Sequence, residues 1–465
     1  MKAKPVIAIF DVGKTNKKLF LFDENYRIVF ERTARFIETV DEDGFACENL
    51  ESLKLSIFDS LNEISRLKEF QVKAINFSAY GASFVLVGED GTPVAPLYNY
   101  LKPYPQELLK HFYEKYSGEE DFALQTASPS LGSLNSGLQL YRLKMEQPEL
   151  FKRTKYALHL PQYLSLLLTG VYCTDLTSIG CHTAMWDFEK NRYHEWIRRE
   201  GIALKLAPIE PASTTHKALS PESNYSVGSG LHDSSAALIP YLSNFSVPFI
   251  LISTGTWCIS LNPFNQLPLT TDELKSDCLC YLQYQGTPVK ASRLFSGFEH
   301  EQQVKRIAEH FKYDAIIFRT MLFDPEVSSR LKSKHPQNIN FAERVLSSFN
   351  NATEAYHQLL ADLVSAQKAS TRLVLKGPTV KRVFVDGGFS KNSVFMHLLA
   401  ASFPEMEVFA ASMAQASAVG AALVLHQQWN TKPIPNDLIE LKYYSASQTM
   451  SLSTRGKDIG LPGSN

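Results

Sequence analysis

Two stretches of the chain follow one plan. Val6 to Phe10 is an unbroken apolar run, Asp11 to Asn16 is a polar turn with a glycine, and Leu19 to Phe22 is apolar again. About half a chain later, Phe249 to Ile252, Ser253 to Thr256 and Cys258 to Leu261 repeat it. Short apolar runs bounded by turns predict strands buried on both faces of a sheet. Between the two stretches, apolar positions at Leu53, Ile57, Leu61, Ile64 and Leu67 predict a helix over 51–70. Ala74 to Ser78 reads as a further buried strand. Val85–Val87 and Val94, on either side of Glu89-Asp-Gly91, read as a hairpin. Helices are expected at Leu134–Met145, Tyr163–Leu168, Asn350–Ala369, Ser393–Ser402 and Ala414–His426, and a strand at Arg382–Val385. The fold class is therefore α/β, in two domains, 1–244 and 245–465. The division falls in the polar, Pro-ended stretch Leu242 to Pro248.

Charge narrows the partners. With 47 Lys+Arg against 48 Asp+Glu, the net charge is −1, without the basic excess that a phosphate backbone demands, so no nucleic acid is expected. No run reaches the roughly 18–20 apolar residues of a membrane helix, so no membrane is expected either. Lys2 and Lys4 precede an apolar run too short for a secretory signal. The six cysteines are scattered, and no Cys/His set has structural-zinc spacing, which reads as a reduced, cytoplasmic chain.

Several segments carry candidate chemistry, each beside an ordinary alternative. Asp11-Val-Gly-Lys-Thr-Asn16 looks superficially like a Walker A loop, but position 8 is Ala8 inside an apolar run, so the match fails. The turn still suits phosphate: Gly13 lets backbone N–H groups approach an anion, Thr15 adds a hydroxyl, and Lys14 or Lys17 adds charge. Asp11 suits Mg²⁺, which takes few carboxylates alongside phosphate oxygens. The alternative is a charged hairpin turn. Ser253-Thr-Gly-Thr256 is a second hydroxyl-rich turn, which alone is an ordinary hairpin. Asp233, leading into an Ala-rich helix, is either a helix cap or a base accepting a hydroxyl proton during phosphoryl transfer. Asp386-Gly-Gly-Phe-Ser-Lys-Asn392 is either a Gly-rich turn or a place where a flat nucleotide lies close to the backbone. His194-Glu195 and His300-Glu301 lack the second zincin histidine, Arg198 and Val304 standing there instead. No Gly-x-Ser-x-Gly elbow occurs.

Together these segments resemble the FGGY family of carbohydrate kinases, of the actin/hexokinase/Hsp70 superfamily, in family order from Ile7 to Leu425. Further matching pieces are Asn76-Phe-Ser-Ala-Tyr-Gly81, Leu160-Pro-Gln-Tyr-Leu164, Thr174-Asp-Leu-Thr-Ser178 and Gln415-Ala-Ser-Ala-Val-Gly-Ala-Ala422. Gly228–Ala237 and Ser253-Thr-Gly-Thr-Trp257 are most similar to rhamnulokinase- and fuculokinase-type members. The resemblance implies two ribonuclease-H-like domains flanking a catalytic cleft, an N-terminal sugar side and a C-terminal nucleotide side. It implies ATP and Mg²⁺ as cofactors and a ketose, L-rhamnulose or L-fuculose, as acceptor. Asp233 is then the general base and Asp11 the metal residue. Gly13, Lys14, Thr15, Asn16, Thr254, Gly255, Thr256, Gly387, Gly388, Ser390 and Asn392 are expected at the nucleotide. Tyr80, Ala82, Ser83, Asn99, Lys102, His159 and Glu299 are expected at the sugar, each with packing as its alternative.

The chain departs from the family at Lys14, where Thr is usual, and over Pro96–Lys102, where Trp-Asn-Asp and an Arg are usual. Other acceptors stay open: xylulose, ribulose or glycerol. So do a non-catalytic sugar- and ATP-binding protein and a phosphotransferase acting on a carboxylate. A homodimer is left open as well.

Overall fold

The computed structural model describes residues 3–14, 16–221, 223–334, 339–377 and 379–445. Two seven-stranded sheets organise them. In the first, the central strand Lys4–Val12 pairs antiparallel with Lys17–Asp23, which pairs antiparallel with Ile28–Ala34. On its other side Lys4–Val12 runs parallel to Phe70–Ala79, then come Ser226–Gly228 (parallel) and Thr215–Lys217 (antiparallel). The short strand Leu231–His232 also pairs with the end of Phe70–Ala79.

The second sheet repeats this order. Phe249–Thr254 pairs antiparallel with Cys258–Asn262, which pairs with Pro288–Leu294, while Cys278–Leu282 is added at that edge. On the other side lie Arg382–Gly387 and Glu407–Ser412, both parallel, and then Glu440–Tyr444, antiparallel. The internal similarity read from the two apolar stretches is thus a repeat of the whole strand order.

The apolar runs are continuous because both faces of each central strand are covered. Val6, Ala8, Phe10 and Val12 pack on Leu50–Ser65 and Leu160–Thr169, while Ile7 and Ile9 face Asp233–Asn244 and Ala416–Leu423. Each large apolar side chain so buried contributes roughly 1.5–3 kcal/mol. In the second sheet, Ile250 and Ile252 meet the long helix Ala352–Val374, and Phe249 and Leu251 meet Tyr241 from the other face.

Some elements differ from expectation. The helix expected over 51–70 ends at Ser65, and the following strand starts early, at Phe70, because the pairing with Lys4 begins there. Phe84–Val87 does turn back, with the Val94 N–H donating to the Leu86 carbonyl at 2.8 Å, but its strand partner is Tyr156–His159.

The two sheets are joined by a pair of crossing helices. Asp233–Asn244 presents Ala236 and Ile239 to the first core and Leu238 and Tyr241 to the second. Ala416–Leu423 comes late in the chain, yet it packs on the first sheet. Their backbones touch at Gly420, where a Cβ would collide with the Ala236 carbonyl. Among the described residues no helix is long and apolar enough to cross a membrane.

Candidate active site

The site forms where the two central strands end. Asp11 is the penultimate residue of Lys4–Val12 and lies across from Ser78 in the parallel pair. Its carboxylate accepts from the Ser417 hydroxyl, at 3.1 Å to each oxygen. Burial first, and then the neighbouring Asp233 charge, pushes the Asp11 carboxyl up to about 6, against the pull of the Ser417 and Ser78 hydroxyls.

Asp233 opens the helix Asp233–Asn244, with His232 before it in the capping position. It is therefore not the cap. One of its oxygens accepts from the Ser234 N–H at 2.6 Å, and its side chain stays 33% exposed. Its charge acts on Asp11 and Tyr100 from the first half and on Tyr281 from the second. A carboxylate in that position can take a proton from a bound hydroxyl.

His232 secures Asp233 from behind. Its Nε2 lies 3.5 Å from Asp233 Oδ1, and its backbone N–H donates to the Thr177 hydroxyl at 2.9 Å. Gly81 lies flat against this ring, leaving no room for a Cβ. Cys181 lies beside the imidazole. Burial opposes charge on both groups, but His182 and then His232 pull the Cys181 thiol down, while Cys181 and then Asp233 push the His232 imidazole up. His159 is only 1% exposed, bonds Ser136 Oγ at 3.1 Å and packs on Phe84. Burial, then the His232 charge, pushes it down to about 3, so it stays neutral. Expected at the sugar, it is instead a buried support.

The first turn, Asp11 to Asn16, closes through the Gly13 N–H, which donates to the Asn16 carbonyl at 2.9 Å. Asn16 accepts from Arg35, and Thr15 lies outside the described residues. Lys14 pairs with Glu38 at 2.8 Å on the surface. Lys17 is buried against Glu48 at 3.0 Å, which takes it out of reach of a phosphate.

The second turn is open: Ser253, Gly255 and Thr256 are exposed. The Thr254 hydroxyl points inward, donating to the Asp386 carbonyl at 2.6 Å and accepting from the Phe389 N–H at 3.0 Å. It ties the two strand ends together, so its oxygen is already committed within the protein. Gly387 adopts φ +93 and touches the Thr254 carbonyl so closely that only glycine fits. Gly388 follows in the same turn. Ser390 donates back to the Gly387 carbonyl, and Asn392 caps Ser393–Ser402 while donating to Tyr356. Both side chains are thus structural.

The sugar-side expectations divide. Tyr80 is buried at the strand end, held by its N–H to the Val12 carbonyl at 3.1 Å, and Ala82 follows in a left-handed conformation. Ser83 is committed to the Tyr98 carbonyl. Asn99 and Lys102 border a separate cavity of about 300 Å³ with Arg142 and Glu146. Lys102 is locked there by Asp41 and Asp43, each at 2.7 Å. Glu299 sits on Ser296–Phe311 in the second half, where Gly297 packs on Gly255, and so lies on the side of the second turn, Ser253 to Thr256. Sequence reasoning missed Ser417 and His232, although the Gln415–Ala422 and Gly228–Ala237 segments that hold them were singled out.

Residues 6–239 match the N-terminal domain of the FGGY family of carbohydrate kinases, and residues 246–433 match the C-terminal domain of carbohydrate kinase FGGY. A rhamnulokinase from Klebsiella pneumoniae is 26% identical over 250 residues, 51% of this chain and 49% of that protein. One from Halalkalibacterium halodurans is 24% identical over 184 residues, 38% of this chain and 39% of that protein. The chain thus spans about half or less of the length of these curated relatives. A carbohydrate kinase structure from Novosphingobium aromaticivorans superposes with TM-score 0.80 at 23% identity, over 96% of this chain and 95% of that one. A xylulose kinase from Lactobacillus acidophilus gives 0.78 at 14% identity, over 95% and 93%. At these identities the likeness is one of fold, the two-domain actin-like ATPase fold.

Proposed function

The chain belongs to the FGGY family of carbohydrate kinases, and from that premise we propose that it transfers the γ-phosphoryl group of ATP to a hydroxyl of a ketose. Residues 1–244 form the sugar side and 245–465 the nucleotide side, and the enzyme works in the cytoplasm. The observation that carries the reading is Asp233 at its helix start, close enough to Asp11 for its charge to raise that carboxyl. One of the two carboxylates takes a proton and the other faces a cation.

The Asp11 surroundings fit Mg²⁺. The donor is a hard carboxylate, and a cation held at Asp11 would relieve the repulsion that the Asp233 charge imposes on it. When bound, Mg²⁺ neutralises charge on the transferring phosphoryl group. Asp233 takes the acceptor's hydroxyl proton as its oxygen attacks phosphorus. His232 and the Ser234 N–H hold the Asp233 carboxylate in place. Lys14, Asn16 and the main chain of the exposed Thr256 hold phosphate oxygens, while Gly13 and Gly255 close their turns through their own N–H groups, and Gly388 leaves room for the nucleoside beside Gly387. Positioning and electrostatics of this kind supply most of phosphoryl-transfer catalysis.

L-Rhamnulose or L-fuculose is the acceptor favoured, supported by the relatives named rhamnulokinase. The test is ADP release with Mg²⁺-ATP across L-rhamnulose, L-fuculose, D-xylulose, L-ribulose and glycerol. The expected result is turnover with a ketose that falls about 100- to 10,000-fold in Asp233→Asn while ATP binding persists. Turnover with none of them would overturn the acceptor assignment. Full activity in Asp233→Asn would overturn the general-base role.

A further inference from the structure

Away from the strand ends, the segment at Cys173 and the later stretch from Glu210 to His216 bring a thiol, a carboxylate and an imidazole together. Cys173, Glu210 and His216 place one ligand atom each within 4.8 Å of one another. Cys173 precedes Thr174, which bridges to Ile209. Two backbone bonds fix that bridge: Thr174 N–H to the Pro208 carbonyl at 2.8 Å and Glu210 N–H to the Thr174 carbonyl at 2.9 Å. His216 is held on the edge strand Thr215–Lys217, opposite Val227. Its Nε2 already lies 2.8 Å from Glu210 Oε2. Backbone pairing thus preorganises the cluster.

We propose that Cys173, Glu210 and His216 form a binding site for Zn²⁺, separate from the Mg²⁺-nucleotide site. Sulfur, nitrogen and oxygen donors together suit a borderline-soft cation, whereas Mg²⁺ selects oxygen alone. Tetrahedral zinc, with bonds of about 2.0–2.3 Å, sets ligand atoms roughly 3.3–3.7 Å apart. To reach that spacing the His216–Glu210 pair, now 2.8 Å apart, opens slightly and the thiol, within 4.8 Å of both, swings in by side-chain rotation. Cys173 is buried, while the His216 and Glu210 side chains are 19% and 25% exposed, which gives the ion an entry path and water as fourth ligand. On coordination the thiol proton leaves to water.

The site would also brace the catalytic carboxylate. Cys173 stands two residues before Asp175, which accepts from the Thr177 hydroxyl at 2.6 Å, and that same hydroxyl receives the His232 N–H. A cation at Cys173 therefore steadies the segment that holds His232 and, after it, Asp233.

The experiment is titration of untagged, chelator-treated protein with Co²⁺, read by the thiolate-to-cobalt charge-transfer band, followed by displacement with Zn²⁺. We expect about one equivalent bound with that band. Cys173→Ser should lose the band, and His216→Ala should bind at least about 10-fold more weakly. His216 is partly exposed, so its variant keeps the fold even if the buried cysteine variant does not. Zinc should raise the melting temperature of the parent but not of His216→Ala. Absence of the thiolate band, equal uptake by parent and His216→Ala, or displacement of Co²⁺ by millimolar Mg²⁺ would each overturn the site.

Discussion

The two strand-end turns share a backbone plan and differ in where the charge sits. In the first half Asp11 lies across from Ser78; at the matching position of the second half Ser253 lies across from Asp386. The carboxylate and the hydroxyl have changed strands. Asp11 accepts from Ser417 and feels Asp233, while Asp386 accepts from the Tyr241 hydroxyl at 2.8 Å and from the Gly387 N–H at 2.7 Å. Asp11 is left beside a second carboxylate, and Asp386 is tied into the structure. The same scaffold thus yields one turn whose carboxylate faces a second carboxylate and one whose carboxylate is hydrogen-bonded into the strand ends, and side-chain placement makes the difference.

The contrast is sharpest at the first residue after each turn. Lys17 in the first half matches Cys258 in the second, and both are buried. Copying the second half's apolar choice with Lys17→Met leaves the buried Glu48 without a cation, only the Tyr80 hydroxyl remaining at 3.5 Å, and should cost about 3–5 kcal/mol in urea unfolding. Lys17→Met combined with Glu48→Gln should recover most of it.

Next in size is Gly387, whose counterpart is Ala79. Gly387→Ala would make the two halves alike in sequence, yet φ +93 and the Thr254 carbonyl both reject a Cβ. A loss of about 2–4 kcal/mol is expected by the same measurement. An unchanged midpoint would mean that the two turns are interchangeable there.

Asp11→Asn should act in the opposite direction. The Asp11 carboxyl is raised to about 6, so the folded chain holds this proton more tightly than the unfolded chain. The resulting penalty is absent below about pH 4, grows through the interval up to 6, and is complete above it. Without divalent cations, Asp11→Asn should therefore stabilise the protein by about 2–3 kcal/mol at pH 7.5, with the gain vanishing at acid pH. The same variant should bind Mg²⁺-ATP more weakly. Melting curves at pH 4 and 7.5, with and without Mg²⁺, check both.

The smallest effect belongs to Lys14. Its pair with Glu38 is exposed, so Lys14→Ala should change stability by under about 1 kcal/mol. A raised KM for ATP with an unchanged midpoint would place Lys14 at the phosphates.

Much of the frame was legible in the chain itself. Unbroken apolar runs at Val6–Phe10 and Phe249–Ile252 required strands covered on both faces, and the polar turns after them marked the strand ends. Asp233 stood out because a carboxylate opens an Ala-rich helix. Side-chain fates were not legible. Nothing in Thr254, Ser390 or Asn392 says that their polar atoms turn inward to strand and helix ends. Lys102 reads as a free cation until Asp41 and Asp43, some sixty residues earlier, fold against it.

The sequence by itself determined the strands, the repeat and the order of the motifs, because periodicity and turn residues act over a few neighbours. Tertiary structure decided which groups meet. Ser417 reaches Asp11 from the far end of the chain, because Ala416–Leu423 crosses Asp233–Asn244 at Gly420, where the absence of a Cβ lets two backbones touch. Cys173, Glu210 and His216 converge because backbone pairing across loops sets distances that spacing along the chain does not encode.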